Sequence, residues 1–332
     1  MGAAFATRGN PAIFQTKGRK VCRRMTMHVA IAIVGFRNTE DIVSCLKALE
    51  TSIHVDFEIL ICENGGPESY ASLLASLPTE LPGGQPVRIV LADGNIGFAD
   101  GVNRCLDETP DADAWWVLNP DTQPEPSALA DCVSRLEVGD CDAVGCTVYF
   151  PDGRVASYGG LWRPVFARAV SMGYGQKLSD PVDAAAIERT QSYLLGSAML
   201  VGRRFVAAAG RMRGEYFLYC EEVEWCIRAT FHGMRLGFAP TARVLHEQGS
   251  TTGSAVTVRA RPRIPIYLTE RNRILLTRDL FAGYLPVAVV MALTIIVLKY
   301  GKDFAWKQMG YAVAGWWAGV RDKRGRPSWI PA

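Results

Sequence analysis

The sequence predicts an α/β fold, a mostly parallel, Rossmann-like sheet flanked by helices. Three observations predict it. Short, continuous apolar runs alternate with amphipathic helical stretches from residue 28 to residue 118, the pattern of a parallel sheet with covered faces. Polar residues collect just after each apolar run, at the edge where open α/β sheets bind ligands. The dinucleotide fingerprint is missing: no GxGxxG follows the first run, and Gly94, Gly97 and Gly101 have the wrong spacing, which counts against NAD or FAD.

The elements follow in order. HVAIAIVGF (28–36) reads as a buried strand, and DIVSCLKALETS as an amphipathic helix capped by Thr39. FEILICENGG (57–66) is a second strand breaking at Glu63-Asn64-Gly65-Gly66, with a helix around 67–77. PVRIVLADGN (86–95) is a third strand, and GFADGVNRCLDE opens a third helix. AWWVLNPDT (114–122) is a fourth strand that ends on Asn-Pro-Asp, because Pro120 has no N–H to give a ladder. Asp121 is therefore held at the lip of the sheet, where a carboxylate caps a turn or binds a metal. The polar clusters Arg37-Asn38, Glu63-Asn64, Asp93-Asn95 and Asn119-Asp121 fall at one edge and make a site.

Further along, YFPDGR reads as a turn and the end of QSYLLGSAMLVGRR (191–204) as another strand. In YFLYCEEVEWCIR an aromatic run leads into Glu221, Glu222 and Glu224, ahead of a helix that Gly233 would end. Acids in a first helical turn complement the helix dipole, which is the plain reading. Their aromatic neighbours would also desolvate them and suit one to general-base work. His246, at the end of another apolar run, is a structural donor unless Asp121 holds a metal nearby; imidazole and carboxylate together suit Mn2+ or Mg2+.

Composition limits the remaining classes. The chain has 332 residues, 49% of them hydrophobic and 21% charged, and a net charge of +3, which gives no argument for nucleic acid. Residues 1–27 carry Arg8, Lys17, Arg19, Lys20, Arg23 and Arg24 without an acid, and the tail is also basic. Basic ends on a near-neutral body suggest an anionic membrane surface. Nine cysteines without a CxxC pair read as reduced, buried thiols of a cytosolic protein. The start lacks a secretory h-region and reads as a disordered basic arm, residues 1–26. LFAGYLPVAVVMALTIIVL (280–298) is uncharged and of borderline spanning length, with basic residues on both sides and Trp306, Trp316 and Trp317 beyond. A helical hairpin or interfacial anchor is the preferred reading; a true span and a buried helix are the alternatives.

The ordered set GFRN, ICENGG, GNIGFADGVNR, WWVLNPDT, LLGSAMLV, FLYCEEVEWCIR, ARVLHEQGS and TERNR, over roughly 28–275, resembles family 2 glycosyltransferases of the GT-A fold, above all the rhamnosyltransferase group. The resemblance implies a catalytic domain over 27–255, with a nucleotide-sugar half (27–125) and an acceptor half (126–255), and a membrane-associated helical region over 256–332. It implies that Asn119-Pro120-Asp121 stands in the place of a DXD motif, with Asp121 as ligand to Mg2+ or Mn2+ and Asn119 at the nucleotide or sugar. It further implies donor-binding roles for Asn38, Glu63 and Asn95, with Gly97 and Asn103 from the same matched stretch, a place for His246 at the metal, and Glu222 as base. The family pattern has Asp where this chain has Glu222 and Glu224. The extra methylene moves the carboxylate by about 1 Å, a distance to which catalysis is sensitive. A backbone adjustment absorbs it, or Glu221 or Glu224 takes the role, or activity is low.

The implied protein is an inverting, metal-dependent glycosyltransferase at the cytoplasmic face of the cell membrane, peripheral or monotopic. Its donor is a dTDP-sugar (dTDP-rhamnose above all), a UDP-sugar or a GDP-sugar, and its acceptor a lipid-linked saccharide. Self-association stays open. A nucleotidyltransferase and a catalytically inactive, membrane-tethered nucleotide-sugar-binding protein are the competing readings.

Overall fold

The structure is a computed structural model that describes residues 26–247 and 257–331. The basic arm expected over 1–26 lies almost wholly outside these residues. The first half alternates as the sequence predicts: β1 (Val29–Gly35), α1 (Thr39–Leu49), β2 (Phe57–Glu63), α2 (Pro67–Ser76), β3 (Val87–Leu91), α3 (Gly97–Glu108) and β4 (Ala114–Leu118). Then come β5 (Thr122–Pro124), α4 (Ala128–Glu137), β6 (Ala143–Tyr149), β7 (Val155–Ser157), β8 (Gly160–Arg163), β9 (Arg168–Ser171) and α5 (Ala184–Thr190). The chain continues through β10 (Ala198–Gly202), α6 (Arg203–Ala209), α7 (Glu221–Phe231), β11 (Leu236–His246), α8 (Arg263–Leu280), α9 (Leu285–Lys302) and α10 (Trp306–Val320).

Among the described residues the main sheet has the order β3-β2-β1-β4-β10-β6-β11-β5, with β7 added beside β6. The first four strands in that order are parallel. The sheet then turns mixed: β10 runs antiparallel to both β4 and β6, and β11 returns parallel to β6. Alternate residues sort the core onto two faces, as the strand period requires. Ile31, Ile33, Ile59 and Trp116 pack with α1 and α4 residues such as Ile42 and Leu129. Ala30, Trp115 and Val117 pack with Val102, Phe205, Trp225 and Ile274 on the other face.

Two local expectations need comment. Thr39 is not the N-cap of α1; Asn38 occupies that position, and neither caps through its side chain. Asn38 instead turns its Oδ1 back to accept the N–H of Phe36 (2.9 Å). Gly233 does close α7, in a left-handed conformation (φ +80°), with its N–H donated to Thr230 O and that of Met234 to Ala229 O. The eight described cysteines are buried and free, and burial pushes thiols such as Cys45 and Cys62 up to about 12.

The tail folds onto the body as helices. Within α9, Ala288, Ala292, Ile296 and Tyr300 form one buried stripe, four residues apart, and Trp316 of α10 donates its indole N–H to Val289 O (2.9 Å). Only 17% of the most apolar part of the 282–302 stretch is buried. Val287, Val290, Val297 and Leu298 are exposed, as are Phe304, Trp306 and Trp317. The stretch is long and apolar enough to cross a membrane, and it is not the core helix that was one alternative.

Candidate active site

The strand that ends at Leu118 leads straight into the first half of the site. Asn119 donates its N–H to Ser197 O (2.9 Å), and Thr122 donates its hydroxyl to Asn119 O (2.6 Å). These bonds fix the Asn-Pro-Asp turn on both sides. β5 then pairs antiparallel with β11, which sets His246 opposite Thr122. His246 Nε2 lies 3.2 Å from Asp121 Oδ1, with the side chains only 13% and 10% exposed. His246 Nδ1 is buried without a hydrogen-bond partner among the described residues.

That pair fits a divalent cation. Two ligand atoms, each about 2.1 Å from one ion and at a right angle, sit about 3 Å apart. No group of three or more His, Cys, Asp or Glu that could hold a metal gathers among the described residues. A site with two protein ligands suits Mg2+ or Mn2+ whose remaining positions go to phosphate and water.

The nucleotide-side residues come from the ends of β1 and β2 and from the start of α3. Glu63 is fully buried. Its Oε1 accepts the N–H of Gly65 (2.6 Å) and of Arg37 (3.3 Å), while its Oε2 is buried and unpartnered among the described residues. A Cβ on Gly35 would lie 2.4 Å from that oxygen, so a larger residue here would displace the Glu63 carboxylate. Asn95 Oδ1 accepts the N–H of Gly97 (3.3 Å), and Asn64 donates to Gly97 O (2.9 Å). Asn103 departs from its expected role. Its Nδ2 donates to Met212 O and its Oδ1 accepts from Met212 N, at 2.8 and 2.9 Å. It staples α3 to the chain before α7, and both hydrogens of its amide are taken, by Met212 O and by Asp100 Oδ1.

The acidic stretch is reached through strained backbone. Phe217, Tyr219 and Cys220 all have positive φ (67°, 73° and 68°), and each such residue costs about 1–2 kcal/mol. Three features hold them there. Gly97, itself at φ +84°, lets the Phe217 carbonyl approach to where a Cβ would be 2.3 Å away, and the Phe98 N–H donates to that carbonyl (2.7 Å). Asn272, fully buried on α8, donates to the carbonyls of Tyr216, Leu218 and Tyr219 at 2.9, 2.9 and 2.7 Å. Arg271 donates to Tyr216 O and to Asn272 Oδ1 (2.9 and 2.8 Å).

Beyond this clamp, the three glutamates part company. Glu224 is fully buried and bonded through both oxygens to Arg228 (2.7 and 3.0 Å), with Arg213 at 3.3 Å. It is committed to structure, and leaves the candidate catalytic set. Glu221 is buried, and desolvation together with the charge of Glu222 holds its carboxyl well above the ordinary range. Glu222 keeps part of its surface open. Desolvation raises its pKa, while backbone N–H groups of Glu222, Val223 and Cys220 oppose the shift. All three acids lie in the first turn of α7, where negative charge complements the helix dipole.

Glu222 also lies near the strand junction that carries the Asp121–His246 pair. A Cβ on Gly196 would lie 3.2 Å from Glu222 Cβ and Cγ. The next residue, Ser197, supplies the carbonyl that binds Asn119. Because Ala198 pairs with Leu118, the two acidic stretches meet at the junction of β4 and β10.

Residues 31–197 match the sequence profile of the family described as glycosyl transferase family 2. The chain belongs to glycosyl transferase family 2. It is similar to the N-acetylglucosaminyl-diphospho-decaprenol L-rhamnosyltransferase of Mycobacterium tuberculosis, 29% identical over 197 residues that cover 50% of this chain and 61% of the relative. It is also similar to the low-salt glycan biosynthesis hexosyltransferase Agl10 of Haloferax volcanii, at 21% identity over 93% of this chain and 96% of that one. Among solved structures, the mannosyltransferase PcManGT from Pyrobaculum calidifontis, in complex with GDP-Man and Mn2+, superposes with a TM-score of 0.57 at 12% identity, over 89% of this chain and 88% of that one. S. aureus TarS 1-349 with UDP-GlcNAc gives 0.54 at 12% identity, over 89% and 82%. These likenesses establish the GT-A-like fold, a mixed, curled sheet flanked by helices.

For a family 2 chain, sequence reasoning missed the supports rather than the acids. TERNR had been matched without a role, and it supplies the Arg271–Asn272 clamp. Nothing in the local pattern signals that Gly196 must be small to admit Glu222, since that contact joins β10 to α7.

Proposed function

We propose that this chain is an inverting, divalent-cation-dependent glycosyltransferase that moves a sugar from a nucleotide-sugar to a hydroxyl of a lipid-linked saccharide. The observation that carries this reading is the meeting of Glu222 with the Asn119–Asp121–His246 turn across Gly196 and Ser197. One side can hold a diphosphate, and the other presents a carboxylate of raised pKa.

The residues divide the work. Asp121 and His246 would hold Mg2+ or Mn2+, which neutralises the charge that develops on the leaving diphosphate. Glu63 Oε2, a buried acceptor without a partner among the described residues, suits an N–H of the donor's base. Asn38, Asn95 and Asn119 flank it at the sheet edge. Glu222 takes the proton of the acceptor hydroxyl as its oxygen bonds to the anomeric carbon. The bond from that carbon to the diphosphate oxygen breaks, and its electron pair leaves with the nucleoside diphosphate. One displacement inverts the configuration, and no glycosyl-enzyme forms.

The donor half would be 27–125, the acceptor half 126–255 and the membrane-associated part 256–332. The rhamnosyltransferase relative supports L-rhamnose and a lipid-diphosphate acceptor; dTDP-rhamnose is the first donor to test, with UDP- and GDP-sugars as the other arms. The exposed apolar face of α9 supports a seat at a membrane surface, read here as the cytoplasmic face.

Mixing the full chain with Mn2+, a panel of nucleotide-sugars and a lipid-linked acceptor tests the reading. Nucleoside diphosphate release with an inverted product, lost in Glu222→Gln and Asp121→Ala, supports it. Donor binding without turnover would instead mark a binding protein, the outcome that Glu in place of Asp at 222 makes worth checking.

A further inference from the structure

Within TERNR the clamp uses only Arg271 and Asn272. Glu270 and Arg273 reach a different neighbour. Glu270, 3% exposed, accepts an ion pair from Arg273 Nη1 (3.0 Å) and another from Arg168 Nη1 of β9 (3.0 Å). Two guanidinium groups therefore share one carboxylate, and both are mostly buried, at 18% and 14% exposed. Arg273 Nε is buried without a hydrogen-bond partner among the described residues. Lys299 of α9 and Arg261 add to this charge. Desolvation lowers the Lys299 ammonium pKa, and Arg273, Arg261 and Arg168 push it the same way while Glu270 opposes them. Desolvation and then Arg273 likewise lower Arg168.

Two mostly buried guanidinium groups on one buried carboxylate, with two more cations beside them, are costly unless an anion answers them. Guanidinium forks fit phosphate oxygens in particular. The position narrows the source. Tyr193 pairs with Gly160, Gly160 pairs with Ser171 on the strand that carries Arg168, and Gly196, three residues after Tyr193, packs against Glu222, so one short segment links the cluster's strand to the base. On the other side, Lys299 directly follows Val297 and Leu298 on the exposed face of α9. The donor-side residues Asn38, Glu63 and Asp121 come instead from the ends of β1, β2 and β4.

We propose that Arg168, Arg273, Arg261 and Lys299 form a subsite for the phosphate or diphosphate of the lipid-linked acceptor, set between the apolar α9 face and Glu222. A hydrocarbon tail would follow α9 while the saccharide hydroxyl reaches Glu222. This rests on the glycosyltransferase reading for the identity of the acceptor, although the anion site can be tested without turnover.

The test titrates the full chain in detergent with farnesyl diphosphate, farnesol, and a nucleoside diphosphate with Mn2+. The diphosphate should bind more tightly than the alcohol. Arg273→Gln and Lys299→Gln should each weaken it on the order of tenfold, with nucleoside diphosphate binding unchanged and, for the exposed Lys299→Gln, an unchanged melting temperature. Three results would each overturn the subsite: no binding of farnesyl diphosphate to the wild type, equal binding to the variants, or weakened nucleotide binding instead, which would assign the cluster to the donor. Vesicles with anionic lipid provide a further arm. If the variants lose vesicle binding but keep farnesyl diphosphate, the cluster is a surface attraction and the subsite is wrong. Transfer assays on the same variants separate the two levels: a wild type that transfers no sugar refutes the function, while the binding arms still decide the subsite.

Discussion

The two halves of the site are built differently. Asp121 and His246 come together through regular pairing: a strand stopped by proline, a short return strand, and the ladder between β5 and β11. Glu221 and Glu222 are delivered by a loop with three strained residues, which a distant helix holds through Asn272 and Arg271. The first arrangement is fixed by sheet pairing. The second depends on side chains of a separate helix, and its position can be lost without touching the acids themselves.

The predictions probe that asymmetry. Asp121→Ala should lower turnover by about 10²–10³-fold and weaken Mn2+ binding while leaving the melting temperature nearly unchanged; manganese titration by electron paramagnetic resonance checks both halves. Glu224→Ala strips a buried carboxylate from Arg228 and Arg213 and should cost about 3–5 kcal/mol of stability, read by urea denaturation. A Glu224→Ala protein of wild-type stability would contradict its structural role.

Asn272→Ala sharpens the comparison most. It leaves several carbonyls of the strained loop without their donor and should destabilise by about 2–3 kcal/mol. Turnover should fall while Mn2+-dependent donor binding holds, because only the Glu222 side loses its support. Equal loss of both would mean that the halves are not independent.

The smallest effect concerns Glu221. Its folded pKa is raised by burial and by Glu222, so the folded protein keeps a proton that the unfolded chain releases. Its contribution is fully present below the ordinary glutamate range and is lost as pH rises through the folded pKa. Glu221→Gln should therefore raise the melting temperature by roughly a few degrees at pH 8 and by less at pH 5. A larger gain at pH 5 would reverse the assignment.

The same asymmetry explains what the sequence could show. β1, β2 and β4 are legible because each is a nearly continuous buried run, and the edge strand β3 is legible from its place in the alternation, since only Val87 of it is buried. Glu63 and Asp121 are legible because they stand where apolar strands end. His246 is recognisable as a candidate, but its contact with Asp121 spans 125 positions and depends on a pairing that no local pattern encodes. The antiparallel insertion of β10 is hidden for the same reason. Asn103 reads as a binder in its matched stretch, yet the Met212 backbone takes it. In α9 nearly every position is apolar, so the buried stripe from Ala288 to Tyr300 is invisible by period.

The central claim is that Glu222 and the Asp121–His246 pair serve one cleft in separate roles. Calorimetry of nucleotide-sugar binding with Mn2+, paired with single-turnover transfer on Glu222→Gln, tests it directly. The account predicts donor affinity within about twofold of wild type and transfer slowed by about 10²–10⁴-fold. Transfer at the wild-type rate, or loss of donor binding along with it, would contradict the account.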